Sequence, residues 1–189
     1  MRPWPVLLLL LAGCASPAPV ALGDDAFILY HWQCGFAPAE WICEYTFIQP
    51  DGTLVSFQGE ATSGEGRVTF EGAHPGLDAA HARAWLQKAG IWTTAKDYRL
   101  RDAFAGTATP PEMLELRTAA AGFETTKAPY NNEPGLADGG TLQITVTTES
   151  WTHTSSAYVG KGDPAYDEVR DAVEAVRDAA ALRAGASSG

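Results

Sequence analysis

The sequence predicts an α+β domain: an antiparallel sheet of about six strands with two or three helices packed on one face. Three observations carry this. Short runs rich in aromatic and β-branched residues crowd into residues 27–71, each bounded by Gly, Pro, Asp or Asn, which is how strands and turns read. Segments with apolar residues at helical spacing come later, near 78–90 and 163–185. Strands and helices therefore separate along the chain instead of alternating, which favours α+β over repeated βαβ units. The 189 residues suit one domain with a single core.

The elements follow in order. Phe27 to Gln33 (FILYHWQ) is the first strand. Glu44 to Gln49 and Thr53 to Gln58 flank Pro50-Asp51-Gly52. Pro fixes φ, Asp tolerates turn geometry and Gly accepts positive φ, so this is a hairpin. Arg67 to Glu71 is the next strand, bounded by Gly64, Gly66 and Gly72. A helix follows, capped by Asp78, with Ala79, Ala82, Trp85, Leu86 and Ala89 on one face and Gly90 as its stop. Ile91 and Trp92 pack beneath it. Pro110 to Ala121 reads as a helix from its leading prolines and Glu112, although its alternation also fits a strand. Residues 127–140 have the composition of a loop. Thr141 to Thr148 alternates cleanly through Leu142, Ile144 and Val146, and Glu149-Ser150 turns it into Trp151 to Val159. The last helix is capped by Asp163, with Pro164 in its first turn. Its stripe is Tyr166, Val169, Val173, Val176 and Ala180, while Asp167, Glu168, Asp171, Glu174, Arg170 and Arg177 are expected to face water.

The N-terminus is an address. Val6 to Ala12 would cover only about 10 Å as a helix, against roughly 30 Å of hydrocarbon. It cannot span, and after Met1 and Arg2 it fits a secretory signal. The ending Leu11-Ala12-Gly13-Cys14 resembles the lipobox of bacterial lipoproteins. That resemblance implies a signal peptide over 1–13, cleavage before Cys14, and lipidation of its thiol and new amine. Acyl chains anchor without a transmembrane helix. Ala15 after the cysteine, by similarity to enteric lipoproteins, implies the outer membrane, facing the periplasm of a Gram-negative cell. Residues 14–25 (CASPAPVALGDD) then read as a tether, 26–184 as one domain and 185–189 as a disordered tail.

Net charge is −10. Cleavage before Cys14 would remove Arg2 and make it −11, with 12 Lys and Arg against 23 Asp and Glu. This argues against nucleic acid as a partner and is compatible with a basic envelope protein.

Chemistry-bearing residues are few. Cys34 and Cys43 close a ten-residue loop, CGFAPAEWIC. In an exported protein they read as a structural disulfide worth about 2.7 kcal/mol on the chain-entropy model. The alternatives are a redox pair, which usually has C-x-x-C spacing, and zinc, which needs more ligands. His31, His74, His81 and His153 form no H-x-x-x-H or H-E-x-x-H. Neither G-x-S-x-G nor S-x-x-K occurs, and Thr62 to Gly66 lacks the lysine and following helix of a phosphate cradle. Asn131, Asn132, Glu133 and Asp138 do not match the spacing of a calcium loop. Trp85 and Trp92 read as core. Trp32 and Trp41 flank the cysteines and read first as packing of the core or the staple; the alternative is that, with His31 and His153, they wall a ligand pocket. No catalytic residue, metal site or cofactor is assigned.

The strand, cysteine pair, Asp51-Gly52 turn, Trp-bearing helix and C-terminal helix together resemble a family of bacterial domains of unassigned activity, often lipoproteins, that begin C-x-G-x-C-P-x-Y. The likeness covers roughly 27–180. Cys43-Glu44-Tyr45 stands at the C-P-x-Y position, one residue short and without the proline, the cysteine spacing is longer, and 101–140 look inserted. It implies fold and location only. Tyr30 to Gly35 (YHWQCG) is also similar to the start of periplasmic lysozyme-inhibitor lipoproteins, but those are small β-barrels and the C-terminal helix argues against them. The expectation is a lipid-anchored, non-catalytic binding or interaction domain. Its alternatives are an inhibitor of a basic cell-wall hydrolase and an enzyme whose site is assembled from distant residues such as His31, His153 and carboxylates.

Overall fold

The computed structural model describes residues 27–33, 41–126, 140–158 and 164–185. The expected signal and tether, Cys34, the Asn131–Asp138 segment, Asp163 and residues 186–189 lie outside them. The class is α+β, as the sequence indicates. The strands are β1 (Phe27–Gln33), β2 (Trp41–Ile48), β3 (Thr53–Ser63), β4 (Val68–Glu71), β5 (Lys96–Thr107), β6 (Thr141–Thr147) and β7 (Thr152–Tyr158). The helices are α1 (Ala79–Lys88), α2 (Pro110–Ala120) and α3 (Pro164–Ala184). The sheet order is β4-β5-β3-β2-β1-β6-β7.

Two details differ from the expectation. The sheet has seven strands and one parallel pair. Residues 96–107, unassigned from sequence, form β5 between β3 and β4. Its alternation breaks midway: Ser56 pairs with Phe104 but Gln58 with Arg101, so Asp102 and Ala103 together face Phe57. Asp102 takes φ +49° at this bulge, and a bulge resets which side chains point inward. β4 and β5 run parallel, joined through α1, because a parallel pair needs a crossover.

The helices also cover both faces, not one. Ile28, Ile48, Leu54, Phe104, Ile144 and Val146 share a cluster with α2 and α3. Phe47, Val55, Phe57, Tyr98 and Leu100 share another with α1. Phe47 and Ile48 are adjacent, as are Leu54 and Val55, and neighbours on a strand point to opposite faces. The two clusters therefore lie on opposite sides of one sheet.

Local signals explain the elements. Gln49 N–H donates to Thr53 O at 2.8 Å, Thr53 N–H to Asp51 Oδ1 at 2.8 Å, and Gly52 takes φ +86°, closing the expected hairpin. Asp78 Oδ1 accepts from His81 N–H at 2.8 Å to cap α1, and Gly90 ends it at φ +73°. α1 buries Ala82 and Leu86 while Ala79 stays exposed. Residues 110–120 are helical: Glu112 Oε2 accepts from Thr109 N–H at 2.7 Å after two leading prolines. The α3 stripe is buried at every predicted position: Tyr166, Val169, Val173, Val176 and Ala180. Among the described residues no helix is long and apolar enough to cross a membrane.

Gly59 marks the closest approach of β3 to β5. A Cβ there would lie 2.2 Å from Arg99 O, inside the contact distance of backbone that cannot swing away. Gly59→Ala is expected to destabilise the domain by about 1–3 kcal/mol, the usual cost of overpacking. Chemical denaturation checks this; an unchanged midpoint refutes it.

Candidate functional site

The structure does not bring together His31 and His153 of the expected pocket, and the side chains of Trp32 and Trp41 lie outside what it describes. His31 lies on β1, opposite Tyr45 and Gln143. Its ring stacks on Tyr45 at 4.0 Å and 15°. Tyr45 belongs to the α1-side cluster, so His31 faces that side. His153, on β7 opposite Val146, faces the other side. Its Nε2 sits 3.0 Å from both the carbonyl and the hydroxyl oxygen of Thr126, and Phe123 of the α2–α3 cluster meets it edge-on at 5.5 Å. The sheet separates the two histidines, so they do not share a site. The backbone of Trp32 is opposite Glu44 and Leu142, and that of Trp41 opposite Glu60. Cys43 is half-buried and is not a free thiol; its expected partner lies outside the described residues. His74 Nδ1 is 2.7 Å from Leu77 O, and His81 pairs with Asp78. Among the described residues no three His, Cys, Asp or Glu side chains could jointly hold a metal.

Burial shapes the two stacked rings. It pushes His31 down to about 4 and Tyr45 up to about 12. At neutral pH both rings are uncharged, so the pair is an aromatic platform and not an acid–base couple.

One half-buried polar cluster was not foreseen. It joins β1 and β2 to α3. Tyr30 Oη donates to Glu174 Oε1 at 2.7 Å. The Arg177 guanidinium lies 5.7 Å from the Tyr30 ring centroid, donates to Glu44, and bonds Asp178 Oδ1 at 2.9 Å. Glu174 and Arg177 thus turn toward the sheet, against the expectation that both face water. Arg177 is 20% and Glu44 13% exposed at the side chain. Burial raises Glu44 against the opposing pull of Arg177. Burial, reinforced by the hydrogen bond to Glu174, raises the Tyr30 phenol far above its usual range. Burial opposes the Arg177 charge, but Glu44 and Asp178 outweigh it and raise its pKa. Tyr30 is a permanent donor and Arg177 a permanent cation, so the cluster is a clamp on α3. One signal existed: strand alternation puts Glu44 on the same face as the buried Thr46 and Ile48.

A second polar surface is open to solvent. Arg99 on β5 bridges Glu71 on β4 (3.1 Å) and Glu60 on β3 (3.6 Å). With Gly59 and Arg101 they line a shallow groove of about 190 Å³. Beside it, Asp97 accepts from the backbone N–H of Glu65 (2.7 Å) and Arg67 (3.0 Å), and from Arg67 Nε (2.9 Å) and Nη2 (2.7 Å). The hydrogen bonds from Arg67 lead in holding the Asp97 carboxyl far below the usual carboxylate range. The glycine-rich loop therefore cradles the protein's own carboxylate. Charge is segregated around this region. Residues 67–101, which comprise β4, α1 and the first half of β5, carry six Lys and Arg against three Asp and Glu, a net +3; the rest of the chain carries −13.

No protein-family model matches the chain, and no curated protein or solved structure is significantly similar to it.

Two outcomes follow from the clamp and the stack. Arg177→Met leaves Glu44 buried without its cation and is expected to cost about 3–5 kcal/mol, whereas Glu44→Gln/Arg177→Met together cost less. Urea denaturation of both variants tests this, and equal losses would refute it. Folded His31 binds its proton less readily than the unfolded chain, so its stabilisation is complete above about 6.5 and is lost as pH falls toward about 4. His31→Phe should flatten the stability–pH curve in that window; an unchanged slope would show that the stack does not set it.

Proposed function

We propose that this chain is a lipid-anchored envelope protein, held through Cys14 at the periplasmic face of the outer membrane. Its domain is a non-catalytic interaction module for a basic envelope protein. The likeness to lipoprotein domains of unassigned activity and the Cys34–Cys43 staple belong to the same proposal. The observation that carries it is the charge segregation: with +3 gathered in residues 67–101, the remaining surface is more acidic than the net charge suggests. Exposed Glu115 on α2 and Glu168 and Asp171 on α3 contribute to that remainder. Complementary charge speeds encounter and makes binding salt-dependent.

The test is capture from detergent-solubilised envelope with the full chain as bait. One stoichiometric basic partner is expected, released by salt. Capture should fall about tenfold, roughly 1.4 kcal/mol, when Glu115, Glu168 and Asp171 are changed to Lys. If that partner is a cell-wall hydrolase and its activity drops on binding, the module is an inhibitor. Turnover of a cell-wall or ester substrate by the protein, abolished by a point change, would overturn the proposal.

A further inference from the structure

One end of the sheet gathers features that the interaction reading does not use. Strand registers define it. Ile28 at the start of β1 pairs with Ile48, Phe27 with Thr147, and Thr53 with Thr107. The chain therefore enters β1 at the end that carries the β2–β3 turn, the end of β5 and the β6–β7 turn. At this end a groove of about 350 Å³ opens between the β2–β3 turn and α2, lined by Pro50, Asp51, Ala108, Pro110, Met113 and Leu114, with Arg117 donating to Pro50 O at 2.8 Å. The two exposed large hydrophobic side chains among the described residues also lie here: Leu114, 57% exposed, and Leu182, 70% exposed. Leu182 is placed by its neighbour Arg183, which donates to Thr107 O at 2.9 Å and to Glu112 at 2.8 Å. Large aliphatic groups this exposed are costly in water and favourable in a lipid interface.

We infer that this end of the sheet is a lipid-contacting face, with Leu114 and Leu182 inserting at the headgroup boundary of the bilayer that holds Cys14. The inference rests on the anchor proposed above. Twelve residues separate Cys14 from Phe27, and covalent geometry limits their reach to about 40 Å. That span ends at the same end of the sheet as both leucines. A short link holds the domain at an effective concentration in the millimolar range, so two aliphatic side chains suffice for contact that untethered protein would not make. A bilayer surface also explains why the aliphatic exposure is at this end and not at the end bearing Ser63 and Asp97.

The experiment places a benzophenone amino acid at Leu114, at Leu182 and, as a control at the opposite end, at exposed Thr62. Each full chain is purified from membranes and reconstituted into phosphatidylethanolamine vesicles with a minor share of phosphatidylglycerol. It is then irradiated and analysed by mass spectrometry, which also reads the acylation of Cys14. Phospholipid adducts at Leu114 and Leu182 at least tenfold above Thr62 are expected. With Cys14 acylated, equal adducts at all three positions overturn the lipid-facing end and leave the anchor intact. Crosslinks from Leu114 to a second copy or another protein overturn it in favour of a protein interface. An unacylated Cys14 overturns the anchor, and the inference with it.

Discussion

The centre of the sheet is buried on both sides, and β3 feels that constraint most. Leu54, Val55, Ser56 and Phe57 are consecutive and all buried. A strand in this position needs apolar groups on both faces, or polar groups that satisfy one another. Ser56 meets the second condition: its hydroxyl lies 3.0 Å from that of Thr46 across the β2–β3 pair. Two-faced burial demands two helical layers. The parallel β4–β5 pair commits α1 to one face as its crossover, so α2 and α3 take the other. The demand relaxes toward β7. There the α1-side face carries Gln143, Thr145, Thr147, Thr152, Thr154 and Ser156 in place of a second core. Thr145 and Thr154 pair their hydroxyls at 2.8 Å.

Legibility in the sequence tracked how cleanly each element kept one period. β6 and α3 each bury one face and present it at every repeat, so their boundaries and core residues could be read directly. The Pro50-Asp51-Gly52 turn was legible because each residue has its own stereochemical reason to be there. β5 was not, because its bulge at Asp102 shifts the inward register and because charged residues occupy its outward positions. The covering of both faces was missed for a related reason. Paired apolar residues such as Phe47-Ile48 and Leu54-Val55 are the mark of a strand buried on both sides, but over so short a run they also read as ordinary strand propensity. The site was harder still. Trp, His and Cys drew attention by chemical type, yet the most enclosed charged cluster among the described residues is built from Tyr30, Glu44, Glu174 and Arg177. Glu44 and Arg177 are 133 residues apart, and only the folded sheet brings them together.

That clamp orients more than it stabilises. Moving Glu44 and Arg177 out of water costs about as much as their attraction returns. The valines and alanine of the α3 stripe specify axial position weakly, while Tyr166 at its start donates to Leu142 O at 2.8 Å. Together with that bond, the Tyr30–Glu174 bond and the Arg177–Glu44 pair accept only one axial position. They fix which turn of α3 lies over β1 and β2, and so bring Arg183 to Glu112 and Thr107 at the helix end.

Strand direction then gives the domain two unlike ends. The end where β1 begins carries a proline-lined groove and exposed leucines. The other carries the backbone of Trp41, the Asp97–Arg67 clamp and, close by, the paired charges around Arg99. On the proposed anchoring the first end faces lipid and the second faces the periplasm. For the proposed basic partner, the cationic β4–α1–β5 edge would repel and the α2–α3 layer attract, so its approach to a tethered domain would have one favoured side. A lipid-contacting end would restrict tilt and charge asymmetry would restrict rotation; together they would give the tethered module a defined direction of approach.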